Sequence, residues 1–173
     1  MFLDAIKHFV LKKRFENKLD QPLALQYNGQ ISKVAVLLNE TSAPYFDQLL
    51  QSLIKNGILA TDVHFLIYKS KKDRKAPLPP TFFGNWEMNW QGAWLPGHFL
   101  SWAKPNYDLL INFFEEGAPL LCLASHDTKA GLKVGLSSTD HRLNHLMIGT
   151  SIQKPETFVK ELFTYLPLLK IQS

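Results

Sequence analysis

The sequence is poor in the residues from which metal and nucleotide sites are usually built. Its one cysteine, Cys122, can form no internal disulfide. His141 and His145 lie four residues apart, but no cysteine pair or zincin-type glutamate completes a metal site. The loop after the first predicted strand, residues 39–42, has no glycine to let the backbone approach a phosphate group. We therefore predict no metal site and no cofactor, including NAD and nucleoside triphosphates.

Long apolar runs are also missing. No stretch approaches the roughly 20 residues that a membrane-spanning helix needs, and the N-terminus lacks the apolar core and cleavage site of a signal peptide. Cys122 lies within a packed helix and is expected to behave as a small, unreactive hydrophobe. These features together predict a cytoplasmic protein. A chain of 173 residues, 46% hydrophobic and 20% charged, suits one core rather than two full domains.

The net charge of +4 comes largely from local runs. Residues 69–75 alone carry five positive charges against one negative, and the proline-rich residues 76–80 follow. This composition is typical of a solvated loop after a strand. A nucleic-acid site would need such charges on a defined face with aromatic or amide partners, so we do not predict a nucleic-acid partner.

The chain is organised around residues 107–136, which predict a strand, a helix and a second strand. An apolar strand at residues 108–112 is followed by a helix that begins at Pro119, where a missing backbone N–H costs nothing. Lys129 lies near the end of that helix, and Gly131 is predicted to cap it in the left-handed conformation. A half-buried strand follows at residues 132–136. Such a unit is almost always a right-handed crossover between parallel strands.

The same alternation continues on both sides of this unit. Ser42 is predicted to cap a helix that Asn56 and Gly57 close, and Pro167 is predicted to end the final helix. Further strands are predicted at residues 33–38, 63–68, 87–90 and 146–149, and further helices at residues 98–103 and 154–166. Alternating strands and helices predict an α/β fold, a three-layer αβα sandwich with a mainly parallel sheet. The natural strand order is 3-2-1-4-5-6.

Residues 1–20 predict an additional basic amphipathic helix, before a single α/β domain at residues 21–173. Phe2, Ala5, Ile6, Phe9 and Val10 fall on one side of that helix, and most of its basic residues fall on the others. A helix this short is marginal alone, so it must dock on the body, on a second subunit or on a membrane surface. Docking on protein is favoured because two acidic residues dilute the basic face.

The chain's four tryptophans all lie within residues 82–102. Aromatic side chains at this density are most often part of a core and its covering layer. A platform for a sugar or a protein partner is the alternative. Residues 82–102 and the N-terminal helix are therefore the two candidate contact surfaces for a partner or for homo-oligomerisation.

A candidate site follows from the predicted strand order. Ligands of open parallel sheets bind beyond the carboxyl ends of the strands, where the order reverses. Two loops meet that condition, and the residues they supply are Asn39, Glu40, Thr41, Ser42, Glu115, Glu116 and Gly117. Their glutamates could perform acid–base chemistry while the polar residues and Gly117 hold a ligand such as a sugar. They could equally be solvated acids beside a helix N-terminus, which favours negative charge.

The chain resembles a bacterial family of short Rossmann-like proteins of unknown function, the DUF6913 type. The resemblance is carried by residues 33–39, by YDLLIN at residues 107–112 and by PLLCLASHDTKAGLKVG at residues 119–135. It implies a Rossmann-like fold and brings no active site. Residues 108–112 with Lys133, Val134 and Gly135 are more distantly similar to the acceptor-side lobe of heptosyltransferase-type glycosyltransferases. The chain has no room for the second lobe of those enzymes.

Three functional hypotheses follow. The leading one is a non-catalytic domain that binds a partner protein or a small polar ligand. The alternative is a small enzyme that acts on a sugar or a phosphorylated metabolite through Glu40, Glu115 and Glu116. A further alternative is peripheral membrane attachment through the N-terminal helix.

Overall fold

The computed structural model describes residues 2–72 and 79–169, without the side chains of residues 2–4, 7 and 8. Its six parallel strands form one sheet in the order β3-β2-β1-β4-β5-β6, so the predicted α/β class and strand order are confirmed. The strands are β1 Val34–Asn39, β2 Val63–Lys69, β3 Phe82–Gly84, β4 Tyr107–Phe113, β5 Ala130–Leu136 and β6 Leu146–Ile148. The helices are α1 Phe2–Leu19, α2 Phe46–Lys55, α3 His98–Ala103, α4 Pro119–Asp127 and α5 Pro155–Leu169.

Helices cover both faces of the sheet. On one face α2 and α5 pack on the central strands through buried residues such as Leu49, Leu53, Phe158 and Leu162. On the other face α1, α3 and α4 cover the same strands. Because the central strands β1 and β4 are buried on both sides, they contain the unbroken apolar runs of residues 34–38 and 109–111. Each fully buried Leu or Phe contributes about 1.5–3 kcal/mol.

The third strand lies earlier than predicted. Residues 87–90 were expected to form it, whereas β3 is Phe82–Gly84, paired in parallel with β2. Gly84 allows the close approach there, because a Cβ atom would lie 2.5 Å from the Lys69 carbonyl oxygen and from the Trp86 ring. Met88 instead pairs with Trp94 in an antiparallel bridge that closes a hairpin at residues 88–94.

Two predicted helix caps are wrong. The Ser42 hydroxyl oxygen accepts the Asn39 N–H instead of capping a helix, and a short 3-10 turn at Ala43–Tyr45 leads into α2. Gly131 lies inside β5 without a positive φ, and α4 ends before it at Asp127. Its small size serves packing, since a Cβ atom at Gly131 would lie 3.1 Å from the Gln26 carbonyl oxygen. Gly57 does close α2 as predicted, with φ of +93°.

The end of α5 also differs from the prediction. Pro167 lies within the helix, which continues to Leu169. Proline removes one N–H donor, and this close to the C-terminus the loss is confined to the last turn. Five residues fall on the inward face that the helical spacing predicts: Phe158, Val159, Leu162 and Leu166 are buried, and Phe163 is half-buried.

Helix α1 docks on α4, but through a different face from the predicted one. Leu11, Phe15 and Leu19 are buried, whereas Ile6 and Phe9 are 37% and 68% exposed. Lys18 forms an ion pair with Asp127 that joins the C-terminal ends of α1 and α4. Because α1 has 18 residues and α4 has nine, the first half of α1 extends past the start of α4. The predicted apolar face lies on that uncovered half.

The tryptophan-rich segment is mainly a covering layer, as predicted. Trp94 stacks on Phe99 with ring centroids 3.9 Å apart. Its indole N–H donates to Asp127 over 2.8 Å, and that of Trp102 donates to the His64 carbonyl over 3.2 Å. These bonds satisfy the polar edges of half-buried rings. Trp90, at 66% exposed, is the exception.

Cys122 lies buried in α4 beneath α1. Burial raises the pKa of its thiol to about 12, as expected for an unreactive cysteine. None of the helices in the described ranges is both long enough and apolar enough to cross a membrane.

Candidate functional site

The two loops predicted to carry the site do meet at the carboxyl edge of the sheet. The Asn39 side-chain amide donates to the Glu116 carbonyl over 3.3 Å, across the point where the strand order reverses. The amide oxygen of Asn39 accepts the backbone N–H groups of Thr41 and Ser42 at 3.2 and 3.0 Å. These polar groups of Asn39 and Ser42 thus shape and join the two loops.

The glutamates at this edge bind different neighbours. Glu40 accepts the backbone N–H and the hydroxyl of Ser70, after β2, at 3.2 and 3.1 Å. Glu115 accepts the Ile152 N–H, after β6, at 3.4 Å. Glu116 and Gly117 are exposed. Glu40 and Glu115 therefore tie loops on opposite sides of the reversal point, and a catalytic or ligand-binding role for these residues stays a prediction.

A buried amide cluster lies beneath the same edge. Asn112 donates to Asn144 over 2.8 Å, and Asn144 donates to Thr139 over 3.0 Å. Gly135 makes room for the pair, since a Cβ atom there would lie 2.5 Å from the Asn144 amide nitrogen. The cluster holds the loop after β5 against β4.

A cleft of about 560 Å³ opens at the opposite, amino-terminal edge of the sheet. The connection between α1 and β1 forms one wall, and the first residues of β4 and β5 with the loop after α4 form the other. Its lining residues are Leu23, Ala24, Gln26, Tyr27, Asn28, Gln30, Asn106, Tyr107, Asp108, Thr128, Lys129, Ala130, Gly131, Lys133 and His145. The predicted residues Asn39 to Ser42 and Glu115 to Gly117, all within the described ranges, do not line it.

Lys133 is the distinctive residue of this cleft. It is only 4% exposed, and its ammonium donates to the carbonyl oxygens of Ser125 and His126 at 2.8 and 3.0 Å. These carbonyls belong to the last turn of α4, where the helix dipole favours a cation. Burial nevertheless lowers the pKa of Lys133 to about 8, against a smaller opposing effect of Asp127. The charged form is thus incompletely stabilised.

His145 lies beside Lys133. Its Nδ1 accepts the Lys133 backbone N–H over 2.8 Å, so in the neutral ring the proton is on Nε2. Burial lowers the pKa of His145, and the charge of Lys133 lowers it further, while the backbone carbonyls of Ala24 and Leu23 act in the opposite direction. The ring is therefore predominantly neutral at pH 7.

Backbone contacts fix both walls of the cleft. The Gln26 N–H donates to the Gly131 carbonyl over 2.9 Å, which attaches the outer wall to β5. The Asp108 carboxylate accepts the N–H groups of Ser32 and Lys33 at 2.9 and 2.8 Å. These two hydrogen bonds attach the residues before β1 to the start of β4.

Asp127 organises the structure next to the cleft. Its carboxylate accepts hydrogen bonds from Lys18 of α1, from Trp94 of the hairpin and from the neighbouring His126. Burial raises the pKa of Asp127, but the hydrogen bonds from His126, Lys18 and Trp94 outweigh it and bring the pKa to about 2. One carboxylate thus joins α1, α4 and the tryptophan-rich segment.

The cleft and its lysine were not predicted from the sequence. A lysine between Leu132 and Val134, in a strand buried on both faces, is the signal that could have identified Lys133. His145 was considered only as a metal-ligand partner of His141. His141 is exposed, and within the described ranges no three potential metal ligands come together.

Comparison with known proteins identifies a family but no activity. No curated protein and no solved structure matches the chain. The similarity to one lobe of heptosyltransferase-type enzymes stays a prediction. The sequence profile of a family of unknown function, DUF6913, matches residues 7–169. The match spans the sheet and the helices that cover it, and the chain belongs to this family.

Proposed function

We propose that this protein is a binding domain for a small anionic metabolite, which occupies the cleft at the amino-terminal edge of the sheet. The observation that carries the proposal is the buried ammonium of Lys133 in the lining of that cleft. A buried cation at the wall of a concave site is a common basis for anion recognition.

The hydrogen bonds of Lys133 support this assignment. Among the described residues two carbonyl oxygens accept from its Nζ, so the third N–H of the ammonium is available to a ligand. Because burial lowers the pKa of Lys133, a carboxylate or phosphate beside it would recover part of the lost solvation. The exposed ammonium of Lys129 adds positive charge to the same lining.

The rest of the lining suits a polar ligand. Gln26, Asn28, Gln30 and Asn106 supply neutral amides that can orient hydroxyl or carbonyl groups. Asp108, the acidic residue of the lining, already accepts two backbone N–H groups, which offsets its repulsion of an anion.

Isothermal titration calorimetry and thermal unfolding with inorganic phosphate, citrate and glucose test the proposal. Phosphate or citrate should bind, and glucose should not. A ligand at one hundred times its dissociation constant stabilises the fold by about 2.7 kcal/mol. Affinity should fall about fivefold between pH 8 and 9, because the anion requires the protonated amine, whose pKa is about 8.

Lys133→Met removes the cation and keeps much of the side-chain volume. We expect it to abolish anion binding, while Lys154→Met, at an exposed lysine outside the cleft lining, leaves binding unchanged. Equal anion affinity in the wild type and Lys133→Met would reject the assignment of Lys133. Absence of binding by both phosphate and citrate would reject the anionic ligand class.

A further inference from the structure

The first half of α1 presents apolar side chains to solvent. With a rise of about 1.5 Å per residue, α1 is about 27 Å long and α4 about 13.5 Å. Their C-terminal ends are joined by Lys18 and Asp127, so α1 extends beyond the start of α4. Phe9, at 68% exposed, and Ile6, at 37%, lie on the extending half. A soluble helix rarely leaves its apolar face uncovered without a partner.

A second exposed aromatic side chain lies near the same stretch. The hairpin at residues 88–94 turns at Gly92, which has φ of +79°. The Cβ position of Gly92 is 3.3 Å from Val10 and 3.5 Å from Arg14 of α1. This contact places the hairpin tip, with Trp90 66% exposed, beside α1. Phe9 and Trp90 therefore belong to neighbouring parts of the surface.

The charge around these aromatic residues is positive. Helix α1 carries five basic residues and two acidic ones. Lys12 and Lys13 are exposed three and four residues after Phe9, which is the spacing of neighbours on a helix surface. A symmetric contact between two copies of α1 would bring like charges together. The charge therefore selects an anionic partner over a second copy of this chain.

We propose that Ile6, Phe9, Lys12, Lys13 and Trp90 form a docking surface for an anionic lipid membrane. An extending helix end and a hairpin tip are convex, whereas recognition of a folded protein requires a complementary surface of fixed shape. A fluid lipid surface accepts convex insertion. Trp and Phe side chains lie readily at the headgroup level, and lysines beside them bind anionic headgroups.

Vesicle co-sedimentation of the full chain tests this proposal. The protein should pellet with phosphatidylcholine vesicles that contain about 30% phosphatidylserine, an anionic lipid, and stay in the supernatant with pure phosphatidylcholine. A basic side chain near an anionic surface changes membrane affinity about fivefold. The double variant Lys12→Gln/Lys13→Gln should therefore bind about 25-fold more weakly. Raised salt should weaken binding in the same direction.

Matched variants distinguish insertion of Phe9 into the membrane from nonspecific adsorption of exposed apolar side chains. Phe9→Glu should reduce pelleting at least tenfold, about what the loss of one buried aromatic contact implies. Leu59, which precedes β2, has a similarly exposed side chain, at 65%, and serves as the control position. The variant Leu59→Glu should pellet like the wild type. Circular dichroism checks that each variant is folded.

Four results would overturn the proposal. One is equal pelleting with neutral and anionic vesicles, and another is an equal loss in Phe9→Glu and Leu59→Glu. The third is a dimer in analytical ultracentrifugation that Phe9→Glu dissociates, which would assign the surface to a second copy. The fourth is absence of pelleting with anionic vesicles, which by itself would reject a lipid partner.

Discussion

Charged side chains at the two edges of the sheet differ in what they bind and in how deeply they are buried. At the carboxyl edge Glu40 and Glu115 bind loop N–H groups and a serine hydroxyl, and the loops of this edge are tied together. At the amino-terminal edge Lys133 binds the last carbonyls of α4 and lines an open cleft. The edge where ligands of parallel sheets usually bind is here held by its own side chains.

The difference follows from helix polarity. Helices that cross over a parallel sheet begin at its carboxyl edge and end at its amino-terminal edge, so acids suit the first and bases the second. Glu115 and Glu116 precede α4, and Lys133 meets its end. Lys133 differs from the glutamates in being deeply buried, and this unmet solvation is the basis of the proposed anion site.

The largest effect should come from the titration of Lys133. Its folded pKa of about 8 lies below the value of about 10.4 for an unfolded lysine. The unfolded state therefore binds more protons between pH 8 and 10.4, and this lysine's contribution to stability rises with pH across that window by about 3 kcal/mol. Burial raises the pKa of Cys122 and of Tyr107, so the contributions of these two residues to stability fall as pH rises. The wild type should thus be compared with Lys133→Met by urea unfolding at each pH.

In that comparison the unfolding free energy of the wild type should increase relative to that of Lys133→Met as pH rises from 8 to 10. A constant difference from pH 7 to pH 10 would show that Lys133 is not destabilised by burial. The distinction between the two edges would then lose its energetic basis.

Asp127→Asn should give the next largest effect. The pKa of Asp127 is about 2 in the folded protein, below the unfolded value of about 3.9. The carboxylate therefore stabilises the fold by about 2 kcal/mol above pH 4, and this stability is lost as pH falls toward 2. Unfolding by urea at pH 7 should show the loss in Asp127→Asn, whose stability should vary less than that of the wild type between pH 4 and pH 2. Identical acid profiles would contradict the assigned ion pair.

Gly135→Ala tests how rigidly the carboxyl edge is packed. The added methyl would lie 2.5 Å from the Asn144 amide, and such overpacking costs about 1–3 kcal/mol. We expect thermal unfolding at a lower temperature while anion binding at the other edge is retained. Gly149→Ala is a suitable control, because a Cβ atom there meets nothing within 4 Å. Equal melting temperatures of the two variants would show that the amide cluster adapts easily.

The smallest effect should come from the glutamates of the carboxyl edge. Glu116 is exposed, and Glu115 makes one long hydrogen bond. Glu115→Gln/Glu116→Gln should change stability by less than about 0.5 kcal/mol and leave anion affinity unchanged in calorimetry. A tenfold change in anion affinity would show that the ligand binds at the carboxyl edge instead.

The sheet could be predicted from the sequence because its strands are short apolar runs separated by helical periodicity. The same reasoning failed for β3, where Phe82 and Phe83 lie among so many aromatic residues that no period is visible. It also placed the inward face of α1 on Phe9, since the projection of the helix past α4 depends on their relative lengths and contact.

The site could be predicted only in part. The meeting of the loops after β1 and β4 follows from strand order, and the Asn39 to Glu116 hydrogen bond agrees with it. The cleft depends on how the connection around Gln26 folds back onto Gly131, a long-range contact with no local signal. The significance of Lys133 therefore emerges only once the two walls are in place.

The most direct test of the central claim is an NMR titration of the full chain with phosphate and citrate, followed through backbone amide shifts. The account predicts that the amides of Gln26, Tyr107, Gly131 and Lys133 move, while those of Asn39 to Ser42 and Glu115 to Gly117 stay in place. Shifts concentrated at the carboxyl-edge loops, with the cleft unperturbed, would contradict it.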